Sequence, residues 1–89
     1  MASYSVRIKA SAAKEIEVIE PLKARRQVVQ RIRRLSEDPR PPGCEKLGGQ
    51  RNRHRVRQGA YRIVYTVADD VLIVLVVKVG HRRDVYRRL

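Results

Sequence analysis

No Trp and no Phe occur in this 89-residue chain, and its aromatics are limited to Tyr4, Tyr61, Tyr65 and Tyr86. So few rings argue against the base-stacking platform of the usual single-strand binders. Cysteine is almost absent as well. Cys44 alone cannot close an internal disulfide, and two His without a Cys/His cluster argue against a zinc site. Neither a metal nor a cofactor is expected. The longest apolar run, Val71 to Val77, falls far short of the roughly 20 residues that cross a bilayer. The first residues carry no secretory apolar segment, so a cytoplasmic location without a membrane partner is expected. Carboxylates are also scarce. Nine Asp and Glu face 21 Lys and Arg, a formal charge of +12, and 16 of those cations are Arg. Hydrophobic residues nevertheless make up 43%, which points to a folded module of one domain, residues 1–89, rather than a disordered basic tail. The excess of guanidinium favours a polyanionic partner: RNA, DNA or a strongly acidic protein.

Tyr4, Val6 and Ile8 alternate with Ser5, Arg7 and Lys9, the period of a strand with one buried face. Ser11 offers an N-cap, and Ala12, Ile16 and Ile19 follow at helical spacing up to a break near Glu20–Pro21. A second helix is predicted from Leu22 to about Glu37, with Val28, Ile32 and Leu35 as its apolar stripe. Asp38-Pro39-Arg40-Pro41-Pro42-Gly43 is a loop, and Leu47-Gly48-Gly49 a second flexible point. Three strands then follow: Arg51 to Arg57, Ala60 to Ala68, and Val71 to Val79, joined at Gln58-Gly59 and Asp69-Asp70. The third is apolar at every position from Val71 to Val77 and is expected at the sheet's centre. The fold class is therefore α+β: an N-terminal strand, an α-helical hairpin, an antiparallel three-stranded meander and a short C-terminal segment.

A two-residue loop at Gln58-Gly59 makes Arg55 face Arg62 and places Arg53, Arg55, Arg57 and Arg62 on one face of the sheet. Arg62 then pairs near Val77. Like charges directly opposite are destabilising, so an anion between them is a better explanation than folding, since Arg recognises phosphate bidentately. The bland alternative is a solvated basic face. A one-residue slip would send every side chain to the other face. Arg82 and Tyr86, after the Gly80 turn, are expected near Arg62. Arg25, Arg26, Arg31, Arg33 and Arg34 form either a solvated helix face or contacts to RNA phosphates. Tyr61, Tyr65 and His54 read as core or structural, and Cys44 as inert for want of an activating partner.

The run Arg55-Val56-Arg57-Gln58-Gly59-Ala60-Tyr61-Arg62-Ile63-Val64-Tyr65, followed by Val76-Val77-Lys78-Val79-Gly80-His81-Arg82-Arg83-Asp84-Val85-Tyr86, resembles the RelE branch of the RelE/ParE toxin superfamily. The Pro-rich loop, Glu45-Lys46-Leu47-Gly48-Gly49 and the strand-helix-helix start fit the same pattern. This resemblance implies a RelE-like fold and a metal-independent, ribosome-dependent messenger-RNA endonuclease, cutting A-site codons by attack of the 2′-hydroxyl on the adjacent phosphate. It also implies a cognate RelB-like antitoxin, acidic or amphipathic, whose complex with the toxin binds operator DNA through the antitoxin. Carried over by position, Arg62 stabilises the phosphate, Arg82 serves the leaving group and Tyr86 orients the substrate. Arg53 and Arg55 stand where relatives often carry lysines, one of them a general base. Arginine is a poor proton acceptor, so Arg55 leaves the base open, with His81 or Tyr86 as substitutes. The other reading of His81 is an ordinary turn residue. The RNA-binding set is Arg53, Arg55, Arg57, Arg62 and Arg83. Two rivals remain: a ParE-like DNA gyrase poison without nuclease activity, and a non-catalytic RNA-binding module.

Overall fold

The computed structural model describes residues 3–48 and 52–84. Its elements run β1 (Ser5–Ile8), α1 (Ala10–Glu17), α2 (Leu22–Arg34), β2 (Glu45–Lys46), β3 (Arg53–Gln58), β4 (Tyr61–Ala68) and β5 (Ile73–His81). The five strands form one sheet in the order β1-β5-β4-β3-β2. β1 runs parallel to β5, and the remaining neighbours are antiparallel.

One face of the sheet carries the two helices. Ala12 and Ile16 of α1 and Ile19 just beyond it, with Val28 and Ile32 of α2 and its cap residue Leu35, pack on Val56, Ile63, Tyr65, Val67, Val74, Val76 and Val79. The helical spacing of three and four and the strand spacing of two bring these side chains into a single layer. Full burial of an Ile or Val is worth about 1.5–3 kcal/mol each, so this layer anchors the sheet and leaves the opposite face for other work.

Several expectations need correction. α1 begins at Ala10 with Lys9 as its cap residue and no side-chain cap, so Ser11 lies inside the helix. α2 ends at Arg34, short of Glu37, in a tightened turn where Ser36 and Glu37 reach back three residues to Arg33 and Arg34. A short strand, β2, pairs Glu45 with Arg55 and Lys46 with His54. The β4–β5 connection takes in Val71 and Leu72 because Leu72 adopts φ +55°, outside the strand region. β4, not β5, is central, and it buries Ile63, Val64 and Tyr65 in succession. β5 alternates instead, with Val74, Val76 and Val79 buried. Ile8 stays 41% exposed at the end of an edge strand. The expected C-terminal helix or tail from Arg83 to Leu89 falls mostly outside the described residues; 82–84 form a turn. Among the described residues, no helix is long and apolar enough to cross a membrane.

Candidate anion-binding cleft

The β3–β4 hairpin closes at Gln58↔Tyr61, with Gly59 and Ala60 as its two-residue loop. Gly59 takes φ +58° at the first central position, the conformation of a type II′ turn, for which glycine is suited. The register is therefore Arg57↔Arg62, Arg55↔Val64 and Arg53↔Thr66. Arg57, not Arg55, stands opposite Arg62, and Arg62 pairs with Gly80 rather than near Val77. The β3 partner of Arg62 thus shifts by two residues, which keeps the parity of the strand, and its β5 partner by three, with a register irregularity between Val64 and Tyr65. Arg53, Arg55, Arg57 and Arg62 still share one face, with Val56↔Ile63 and His54↔Tyr65 on the other.

That face leads into a cleft of about 860 Å³ lined by Arg31, Pro42, Gly43, Glu45, Arg55, Arg57, Arg62, Arg82 and Arg83. Six guanidiniums meet there with one carboxylate. Glu45, in register with Arg55, is paired to its guanidinium. Arg62 Nη1 donates to the carbonyls of Gly59 and Tyr61, each at 3.1 Å, which holds its head against the hairpin backbone. Partial burial pushes the Arg62 guanidinium below its ordinary pKa, and the positive charges of Arg57, Arg55 and Arg82 push in the same direction. Arg82 arrives because its own N–H donates to the Ala60 carbonyl at 2.7 Å, which continues the β4–β5 register one step past Tyr61↔His81. β2 pairs only with His54 and Arg55, so among the described residues the outer edge of β3 beyond Arg55 has no strand partner, and Arg31 of α2 also lines the cleft. An unliganded cluster of like charges raises the energy of the free protein, and a polyanion relieves it.

The structure thus brings together Arg55, Arg57, Arg62, Arg82 and Arg83. It does not bring in His81. That residue registers with Tyr61 on the helix-bearing face, where the rings meet edge to face at 5.9 Å. His81 Nδ1 accepts the Arg83 N–H at 3.2 Å, and the ring lines a separate groove with Glu15, Val18 and Ile19. Arg53 shares the arginine face but lies beyond the cleft, half-buried, with its Nε lacking a partner. Tyr86 lies outside the described residues. Tyr65 is buried in the core as expected, its hydroxyl donating to the Pro39 carbonyl at 2.7 Å. Sequence reasoning weighed Arg31 with four similar arginines of one helix as a solvated face or RNA contacts without placing it in the cleft, and it missed Glu45. The signal for Glu45 was available: it is the carboxylate between two proline-flanked and glycine-flanked bends, in a region otherwise short of acids.

Comparison with known proteins places this geometry. A relative in Escherichia coli described as a RelE-like toxin protein is 31% identical over 87 residues, covering 93% of this chain and 90% of its own. The toxin RelG of Mycobacterium tuberculosis is 28% identical over 85 residues, covering 96% and 98%. In the crystal structure of the intact E. coli RelBE toxin–antitoxin complex, a chain 27% identical superposes with a TM-score of 0.77, over 89% of this chain and 96% of that one. A helical pair on one face of a five-stranded sheet is thus the fold that this chain shares with a RelE toxin. The family model for the ParE toxin of type II toxin–antitoxin systems, parDE, matches residues 6–86. This chain belongs to that family, within the RelE/ParE toxin superfamily.

Proposed function

We propose that this toxin is a metal-independent endoribonuclease that cuts messenger RNA on the ribosome, and that the arginine cleft is its active site. The observation that carries the reading is the meeting of Arg55, Arg57, Arg62 and Arg82 around one open cleft with a single carboxylate. In-line cleavage of RNA needs positive charge on a pentavalent phosphate, a proton acceptor at the 2′-oxygen and charge relief at the leaving 5′-oxygen. Arg62, fixed to the hairpin backbone, and Arg57 beside it meet the phosphate oxygens. Guanidiniums cannot accept a proton at neutral pH. Among the described cleft residues Glu45 is the remaining acceptor, held by Arg55, and it takes the 2′-hydroxyl proton. The 2′-oxygen then bonds to phosphorus, the bond to the 5′-oxygen breaks, and a cyclic phosphate and a 5′-hydroxyl result. Arg82 meets the charge on the departing oxygen, which takes its proton from water.

A cognate antitoxin of RelB type, acidic or amphipathic, is the partner that fits a +12 surface, and the RelBE complex supports it by analogy. Operator DNA would then be bound by the complex through the antitoxin. A second reading, gyrase poisoning without RNA cleavage, is favoured by the ParE description of the matching family and by the lack of lysine among the residues lining the cleft. One experiment separates them. Purified toxin is added to a reconstituted translation reaction on a defined message, with and without ribosomes, and 5′ ends are mapped by primer extension. Cuts inside codons, seen only with ribosomes and lost in Arg82→Ala, are expected. An intact message with normal translation would refute the nuclease reading, and a supercoiling assay on gyrase would then test the other.

A further inference from the structure

α2 carries six cations, Lys23, Arg25, Arg26, Arg31, Arg33 and Arg34, and no carboxylate. Helical geometry sends them to different places. Lys23, Arg25, Arg26 and Arg33 line a separate groove of about 520 Å³ formed by α2 residues alone, and Arg34 is exposed. Of the six, Arg31 is the one that lines the arginine cleft. It stands three residues after Val28 and four before Leu35, both wholly buried, so its stem leaves the helix at the margin of the packed stripe. Half-buried there, it shares its wall of the cleft with Pro42 and Gly43. The loop of that wall is itself fastened. The Cys44 N–H donates to the Pro41 carbonyl at 3.0 Å, and the Tyr65 hydroxyl donates to the Pro39 carbonyl at 2.7 Å. Among the described residues, no carboxylate or carbonyl holds the Arg31 guanidinium.

The charge in the cleft exceeds what one phosphodiester needs. Such a group carries a single negative charge, and its pentavalent transition state a second. Arg57, Arg62 and Arg82 meet those charges, while Arg55 is paired with Glu45. Arg31 is surplus to that chemistry, and it comes from a helix rather than from the hairpin. The cleft also has room for more than one phosphate, since its volume of about 860 Å³ lies toward the upper end of the roughly 300–1,000 Å³ of sites that hold whole ligands. A half-buried guanidinium with no protein partner has lost part of its hydration, and a bound anion restores the missing hydrogen bonds.

We propose that Arg31 is a substrate-binding residue that takes the phosphate next to the scissile one. The cleft then engages two consecutive phosphates, and the shortest strand that fills it is a trinucleotide. This inference rests on the nuclease reading above and deepens it. Arg31 supplies affinity and register, and takes no part in making or breaking bonds. α2 is anchored through the buried Val28 and Ile32, so its arginine keeps a fixed position relative to the hairpin. A phosphate seated on Arg31 therefore fixes which phosphate falls on Arg62.

The test measures how 2′-O-methyl oligonucleotides without terminal phosphates compete with a fluorescent single strand for the full-length toxin. They offer no 2′-hydroxyl for attack; a dinucleotide presents one phosphate and a trinucleotide two. Wild type is expected to gain about tenfold in affinity from di- to trinucleotide, with the slope of log K against log salt steeper by about 0.7. Arg31→Gln should lose that gain and bind the dinucleotide like wild type. Arg31→Met, which keeps the packing of the stem, should do the same, and Arg31→Lys should keep most of the gain. Arg26→Gln removes the same charge from the same helix and should keep all of it. In single-turnover cleavage, Arg31→Gln should raise the half-saturating toxin concentration several-fold and leave the rate at saturation unchanged. A gain that survives in both Arg31→Gln and Arg31→Met refutes the assignment. An equal loss in Arg26→Gln refutes it too, because net charge would then explain the effect. A lower saturated rate with unchanged half-saturation refutes a binding role. If no oligonucleotide competes better than sulfate at equal ionic strength, the cleft is not an RNA site, and the nuclease reading falls with the inference. If the length series behaves as expected but no message is cut, Arg31 keeps its phosphate and the nuclease reading alone is overturned.

Discussion

Replacing Arg57 with Gln should make the free protein more stable and its RNA binding weaker. Arg57 stands directly opposite Arg62 in the hairpin, and like charges so placed destabilise a sheet by roughly 0.2–1 kcal/mol. Coulomb's law in water gives a consistent figure, about 0.7 kcal/mol for two unit charges some 6 Å apart. Arg57 is exposed, so Gln keeps most of the stem and a hydrogen-bonding head while removing the charge. For a chain of this length a gain of that size raises the melting temperature by about 1–8 °C. The effect should shrink in high salt, as screening weakens the repulsion it removes. Binding moves the other way. Losing one phosphate contact on a single strand reduces the slope of log K against log salt by about 0.7. Thermal melts at low and high salt, paired with filter binding of a short single-stranded RNA across a salt series, measure both. A variant less stable than wild type at low salt, or one whose salt slope is unchanged, would refute the claim that this pair is kept for an anion.

Arg62→Ala and Arg82→Ala should each lower single-turnover cleavage by about 10²–10³-fold, the scale for one preorganised charge-stabilising group; circular dichroism controls for folding. Asp69 accepts hydrogen bonds from Arg40 and from Tyr4 at 2.6 Å, and these hold its carboxyl down at about 2. The sign follows from that depression. Stability contributed by this carboxylate is present above its unfolded value near 4 and is lost as pH falls from there through about 2, so Asp69→Asn should flatten the melting temperature over that range. Tyr65→Phe should destabilise by about 1–3 kcal/mol, because the buried Pro39 carbonyl loses its donor; urea unfolding measures it, and no change would mean water replaces the hydroxyl.

How much was legible depended on the range of the forces involved. Local patterns determined the element types. The period-two run at Tyr4–Ile8, the helical stripe Val28–Ile32–Leu35 and the breaks at Pro21 and the Pro-rich loop are all set by neighbours in the chain. The sharing of one face by Arg53, Arg55, Arg57 and Arg62 was also legible, because parity along a strand survives a shift of two residues. The turn itself was misplaced: Gly59 occupies the first loop position rather than the second, a choice made by backbone twist at a left-handed conformation. The family, too, was readable from the two motif runs.

What lay beyond the sequence is what distant segments do to one another. The sequence alone determined a basic α+β toxin domain with an arginine-bearing hairpin. Only the tertiary structure decided that Arg31 of α2 and Glu45 of β2 join that cleft, that His81 turns to the other side, and that Cys44 meets His54 and Tyr65. Each of these contacts spans ten or more residues; those of Glu45 and Cys44 depend on how the loop after α2 meets the sheet edge, and that of His81 on the β4–β5 register. Chain spacing carries no record of that path, because closing such a loop costs much the same for many routes, and the packing of Tyr65 under Pro39 is what selects one.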